Sequence, residues 1–198
     1  PLHHLLGRAG RLEAGHVLPI YQQLCDALRA AHGKGFVHRD LKPDNIVVLR
    51  RPPHPFIKIL DFGIAKLRHG DAGDDEATAV GTVLGTPEYM APEMARPKRP
   101  TEATADVYSL GVLLYQMLTG QVPFLYDDPK KIVDSHLHIV PRPLRERAPE
   151  AEISTALQRT VLKAMRKRPE RRFQSMEEMS RALWRIQRQL VRSDDTGA

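Results

Sequence analysis

The sequence predicts a mainly α-helical fold with one small β-hairpin element. Three observations carry that expectation. Apolar residues recur at three- and four-residue spacing in Leu12 to Ala31 and again after Ser175, the period of a helix with one buried face. Thr104 to Leu118 is apolar nearly all round, as a fully buried helix is. Two short runs rich in Ile and Val, Ile46 to Leu49 and Phe56 to Leu60, suit strands. Arg50-Arg51-Pro52-Pro53-His54-Pro55 splits them and reads as a turn, because proline cannot serve in a central ladder.

In chain order, the first helix presents Val17, Ile20, Tyr21, Leu24, Leu28 and Ala31 on one face. Gly33 and Gly35 end it, as residues able to take positive φ. The chain then enters His38-Arg39-Asp40-Leu41-Lys42-Pro43-Asp44-Asn45 and the hairpin. The stretch from His69 to Val83 is small, polar and acidic, without apolar periodicity, and is expected to be mobile. Gly120 stops the helix of Thr104 to Leu118. Pro123 to Leu144 reads as a loop and short helix closed by Pro141 and Pro143, and Ile153 to Met165 as a helix. Ser175, with Glu178 three residues on, opens the last helix as a capping box. Met176, Met179, Leu183, Ile186 and Leu190 form its buried stripe, and Trp184 beside them is expected in the core. The organisation is one unit over residues 1–192 and a frayed tail over 193–198.

Composition narrows the function classes. The chain has 198 residues, 41% hydrophobic and 27% charged, the size and balance of one soluble domain or a large lobe of one. No run approaches the ~18 apolar residues of a membrane span. The start, Pro1-Leu2-His3-His4, shows no cationic and apolar signal-peptide pattern, and without an initiator methionine residues upstream are expected to be missing. The single Cys25 excludes an internal disulfide, fits a reducing, cytoplasmic compartment, and sits on an apolar helix as buried filler. The formal charge of +6 does not imply nucleic acid, because the arginines scatter along helices without aromatic interleaving.

The chemistry concentrates between His38 and Asp61. A hairpin of the expected kind brings Asn45 and Asp61 to the same end, so an amide oxygen and a carboxylate face one point, with Asp40 and Lys42 beside it. Magnesium takes hard oxygen ligands and keeps several waters, so one carboxylate and one amide oxygen suffice from the protein. Lys42 can place a cation on a moving phosphoryl group, and Asp40 can orient an acceptor hydroxyl and take its proton.

These residues, with Asp61-Phe62-Gly63 and Ala91-Pro92-Glu93 in order downstream, resemble the catalytic loop, metal-binding motif and substrate loop of the protein kinases. Lys42 two positions after Asp40 points to the serine/threonine branch, and Gly85-Thr86-Pro87-Glu88-Tyr89-Met90-Ala91-Pro92-Glu93 resembles its bacterial members. The resemblance implies ATP and Mg2+ as cofactors and protein Ser/Thr hydroxyls as acceptors. It implies Asp40 and Lys42 as catalytic, Asn45 and Asp61 as metal ligands, and Lys42, Asn45, Val47 and Asp61 on the nucleotide, with Val47 in the floor of the adenine pocket. His38 is implied to be structural, packed against Phe62. Asp106 is implied to hold the backbone of the catalytic loop, and Thr86 to bond the catalytic aspartate and lysine. Glu93 is implied to form a buried salt bridge, with Arg172 as its partner; the family commonly has an acid where Arg168 stands. Asp61 to Glu93 then corresponds to the activation loop. Arg39 can pair with a phosphothreonine there, at Thr78 or Thr82, and activity is expected to depend on that phosphate.

The resemblance covers nearly the whole chain and corresponds to the kinase large, C-terminal lobe. No glycine-rich loop, strand lysine or helix glutamate of the β-rich N-terminal lobe precedes His38. Alone, such a lobe is expected to bind ATP poorly and turn over slowly or not at all, with an apolar, sticky lobe-facing surface. Two other readings stand beside a kinase fragment. A non-catalytic kinase-lobe binding module would be favoured by a replaced Asp40 or Asp61, and neither is replaced. A small-molecule phosphotransferase would lack the segment from Thr86 to Glu93.

Overall fold

The computed structural model describes residues 1–49, 51, 55–61, 86–96 and 102–195. Its axis is a central helix, α3 (Ala103–Thr119), in which every residue from Thr104 to Tyr115 is buried. With α1 (Leu2–Ala9), α2 (Ala14–His32), α4 (Pro129–His138), α5 (Leu144–Arg147), α6 (Thr155–Ala164) and α7 (Met176–Asp195) it makes a mainly helical body. Helix α2 packs along α7 and against α3, and α6 packs against both α3 and α7. One continuous core joins Val17, Tyr21 and Leu24 of α2 to Leu110 and Leu114 of α3 and to Met179 and Leu183 of α7.

Among the described residues the one sheet has two strands, β1 (Ile46–Leu49) and β2 (Phe56–Ile59). They pair antiparallel, with Ile46 opposite Ile59 and Leu49 opposite Phe56. Leu60 ends the strand one residue earlier than its apolar character suggests, yet its N–H still donates to the Asn45 carbonyl at 2.8 Å. The outer edge of β2 is clipped to α2: the Gln23 side chain donates to the Pro55 carbonyl (2.8 Å) and accepts from the Ile57 N–H (3.1 Å). Leu49 and Phe56, register partners, expose apolar surface, as do Phe36 and Leu60.

The helix ends show which local signals act. Gly35, at φ 80°, terminates α2: its N–H bonds the His32 carbonyl and that of Phe36 reaches the Ala31 carbonyl. This is the paired closure of a Schellman motif. Gly33 keeps a helical φ of −62°, so of the two glycines only Gly35 uses the left-handed region. Gly120, at φ 79°, closes α3. Ser175 accepts from the Glu178 N–H as expected, while the Glu178 carboxylate reaches back to the Gln174 N–H. Helix α7 continues past Ser193 to Asp195.

Two features depart from the sequence expectation. Residues 2–9, assigned no element above, form α1, which sinks Leu2 and Leu6 into the core. So short a helix is held by tertiary burial, since eight residues cannot offset nucleation alone. Trp184 is half exposed, not core; it lies one residue past Leu183, outside the stripe that α2 covers, and the Arg188 guanidinium sits 4.7 Å from its ring centroid.

At Gly111 the backbone of α3 packs closely on the end of α6. A Cβ there would stand 2.8 Å from the Ala164 Cβ and 3.1 Å from the Met165 Cγ. Gly111→Ala gains up to about 1 kcal/mol of helix propensity, but overpacking costs about 1–3 kcal/mol. The expected result is a lower thermal midpoint; a melt that is unchanged or raised would show that the two helices part without strain.

Candidate active site

The loop from His38 to Asn45 is held from beneath by α3. Asp106, fully buried in the first turn of that helix, accepts three hydrogen bonds. The backbone N–H groups of His38 (2.8 Å) and Arg39 (2.9 Å) and the Nε2 of His32 (2.7 Å) converge on its carboxylate. A buried carboxylate is tolerable because both of its oxygens meet donors.

His38 is buried beside it and crosses from the loop to the hairpin. The Asp40 N–H donates to His38 Nδ1 (3.3 Å), so the ring proton lies on Nε2, which donates to the Leu60 carbonyl (2.9 Å). The residue after Leu60 is Asp61. Arg39 (φ 65°) and Asp61 (φ 49°) are the positive-φ residues other than glycine among those described. Such backbone is uncommon for residues with a Cβ and collects at functional sites.

Asp40, Lys42, Asn45 and Thr86 meet directly. The Asn45 Nδ2 donates to the Asp40 carbonyl (2.8 Å) and to its carboxylate (3.3 Å). The Lys42 ammonium lies 3.5 Å from the same carboxylate and donates to the Thr86 hydroxyl at 3.0 Å. Asp61 is exposed and reaches this end of the hairpin by the register that pairs Leu60 with Asn45. Val47, half-buried, lies two residues along β1 from Asn45. Asp40, Lys42, Thr86, Tyr89, Met90 and Met94 line a small cleft between the loop and the segment that follows Thr86.

The fit to a divalent cation can be read from Asn45. Its amide hydrogens are used on Asp40, and no donor among the described residues reaches its Oδ1. That oxygen and the exposed Asp61 carboxylate are hard donors of the kind magnesium takes alongside phosphate and water. Arg39 has a buried Nε without a hydrogen-bond partner among the described residues. Phe62, Thr78 and Thr82 lie outside the described residues.

Farther from the cleft, Arg172 and Glu93 are buried and bidentate, at 2.6 and 2.7 Å. Arg172 also donates to the carbonyls of Thr104 (2.8 Å), Arg166 (2.7 Å) and Lys167 (3.1 Å). Arg168 is exposed. The sequence reading missed His32 and His136. His136 is buried; its Nε2 meets the Glu88 carbonyl (2.9 Å) and its Nδ1 the Tyr108 hydroxyl (2.8 Å). Burial, then the nearby Lys167 cation, push its pKa down to about 3. Both histidines act across long sequence separations, and neither sits in a local motif that could have flagged it. Burial, with Asp26 beside it, pushes the Cys25 thiol up to about 12, which makes it an inert core residue.

The family model described as "Protein kinase domain" matches residues 1–184. The chain is 42% identical over 194 residues to the serine/threonine-protein kinase pkn3 of Myxococcus xanthus, covering 98% of this chain and 35% of that protein. It is 46% identical over 173 residues to Pkn1 of the same organism, covering 87% of this chain and 24% of the relative. The serine/threonine-protein kinase PknB of Mycolicibacterium smegmatis is 36% identical over 185 residues, covering 93% of this chain and 28% of that protein. The chain thus spans about a third or less of the curated relatives it matches.

Proposed function

This chain belongs to the protein kinase family, and on that premise we propose that it provides the catalytic lobe of a serine/threonine kinase, which transfers the ATP γ-phosphoryl group to protein hydroxyls. The observation that carries the reading is the linked contact of Asn45 with Asp40, of Asp40 with Lys42 and of Lys42 with Thr86. The relatives' names, all serine/threonine-protein kinases, support it.

Magnesium-bound ATP would supply the phosphoryl group and neutralise the charge that builds on it. Asn45 Oδ1 and the Asp61 carboxylate would hold the cation, and Val47 would pack beneath the adenine. Asp40 orients the acceptor Ser or Thr hydroxyl and accepts its proton as the new oxygen–phosphorus bond forms and the bond to ADP breaks. Lys42, held between Asp40 and Thr86, keeps an ammonium beside the reacting oxygens. Thr86 thereby serves the site as a structural residue of the substrate loop. The Nε of Arg39, without a hydrogen-bond partner among the described residues, supports its pairing with a phosphate on Thr78 or Thr82 in the activated state. No described helix is long and apolar enough to cross a membrane; the buried free thiol of Cys25 and the use of ATP fit a cytoplasmic enzyme.

The test is transfer from ATP and magnesium to a generic protein, run on this chain and on the full-length protein that contains it. Phosphoserine and phosphothreonine, abolished by chelator, are expected from the full-length protein. Absence of transfer there would overturn the reading.

A further inference from the structure

We propose that His136 is a positioning residue for the protein substrate: it anchors the backbone of the segment after Thr86, the wall of the cleft that faces Asp40. This rests on the kinase reading for the identity of what enters the cleft, and on the structure alone for the anchor.

The segment is held at three points. Thr86 meets the Lys42 ammonium at 3.0 Å. Tyr89 is fixed to α3 twice, through its hydroxyl to the Gln116 side chain (2.7 Å) and through its carbonyl, which accepts from the Ser109 hydroxyl (2.7 Å). Between them the Glu88 carbonyl accepts from His136, on α4. A carbonyl only accepts, so the His136 proton must lie on Nε2; Nδ1 then accepts from the Tyr108 hydroxyl of α3. Each polar atom of the ring has one use, and one tautomer satisfies both.

The surroundings hold the ring in that tautomer. Phe124 packs edge-on against it, with centroids 5.0 Å apart. The Lys167 ammonium donates to the Ser135 carbonyl (3.0 Å) and lies 4.8 Å from the Phe124 centroid. The Arg172 guanidinium covers the Tyr108 ring at 4.8 Å. Burial, the Phe124 ring and the Lys167 cation oppose a charged imidazole, so His136 remains a one-way donor to Glu88. Helix α4 is thereby hydrogen-bonded to the wall of the cleft through this side chain. Its loss would leave Thr86 on Lys42 but free the middle of the wall, so an incoming polypeptide would meet a less ordered surface while the nucleotide side is untouched.

The experiment compares full-length wild type with His136→Leu, His136→Gln and Tyr108→Phe. Gln can still donate to the carbonyl, and Tyr108→Phe keeps the packing while removing the hydroxyl from which Nδ1 accepts. Two readouts are taken: hydrogen exchange of the peptide spanning residues 86–91, and KM for protein substrate and for ATP. His136→Leu is expected to expose the amides of Tyr89 and Met90 and to raise KM for protein about tenfold, with KM for ATP within about twofold; His136→Gln recovers most of the protein KM, and Tyr108→Phe moves it in the same direction by less. Unchanged exchange overturns the anchor. Opened exchange with both KM values shifted together, or neither, overturns substrate positioning. If wild type transfers no phosphate at all, the kinase reading and substrate positioning fall together, while the exchange data still decide whether His136 holds the segment.

Discussion

Asp40→Asn is expected to lower kcat for phosphoryl transfer by about 10²–10⁴-fold, the usual contribution of a positioned general base. Asparagine fills the same volume, and its amide can still meet the polar groups around it. What disappears is the negative oxygen that lies 3.5 Å from the Lys42 ammonium and 3.3 Å from the Asn45 amide. The loss should therefore be confined to chemistry. Nucleotide affinity, which the proposed function assigns to Asn45, Asp61 and Val47, and the thermal midpoint should move little, because Asp106 holds the loop backbone. Steady-state kinetics beside a melt and a nucleotide titration separate these quantities. A kcat within about threefold of wild type would remove Asp40 from the reaction, and equal residual signal in both proteins would trace the activity to a contaminant.

Arg172→Ala should be the most destabilising single change outside the apolar core, by about 3–5 kcal/mol, the range for breaking a buried ion pair from one side. Its guanidinium joins three pieces of chain: the Glu93 carboxylate, the Thr104 carbonyl at the start of α3, and the Arg166 and Lys167 carbonyls after α6. Removing it leaves a buried carboxylate and several carbonyls without donors, and uncovers the Tyr108 ring. At about 2–4 °C per kcal/mol for a chain of this length, the midpoint should fall by on the order of 10 °C. Arg172→Lys should recover little, since an ammonium cannot span two carboxylate oxygens and three carbonyls. The double variant Glu93→Gln, Arg172→Met should lose less than the two single changes added together. A loss below about 1 kcal/mol for Arg172→Ala would mean that water takes over these acceptors.

How much was legible beforehand differs by element. Helices α2 and α7 were readable because their apolar spacing repeats every three or four residues, and α3 because its stretch is apolar nearly all round. The hairpin was readable because prolines interrupt two β-branched runs, and its register followed closely enough to place Asn45 and Asp61 at one end. Asp40, Lys42, Asn45 and Thr86 were legible as motif residues, through resemblance. Helix α1 was not, since Gly7 and Gly10 interrupt a short stretch whose stability comes from burying Leu2 and Leu6 elsewhere. Trp184 was misplaced because residue type suggested a core position, whereas its angle on the helix set it outside.

The amino-acid order alone determined the periodic helices, the paired strands and the inventory of acids, amides and amines near residue 40, because each of those properties is expressed within a few neighbouring residues. Tertiary packing alone decided that Asp106 also receives His32 and that His136 grips Glu88, whereas the hold of Asp106 on the loop amides and the Arg172–Glu93 pair were expected through resemblance. Those bonds join residues 48 to 79 positions apart. No local period encodes them; they exist because burial removes water as the alternative partner and leaves each polar atom to the one group the fold places beside it.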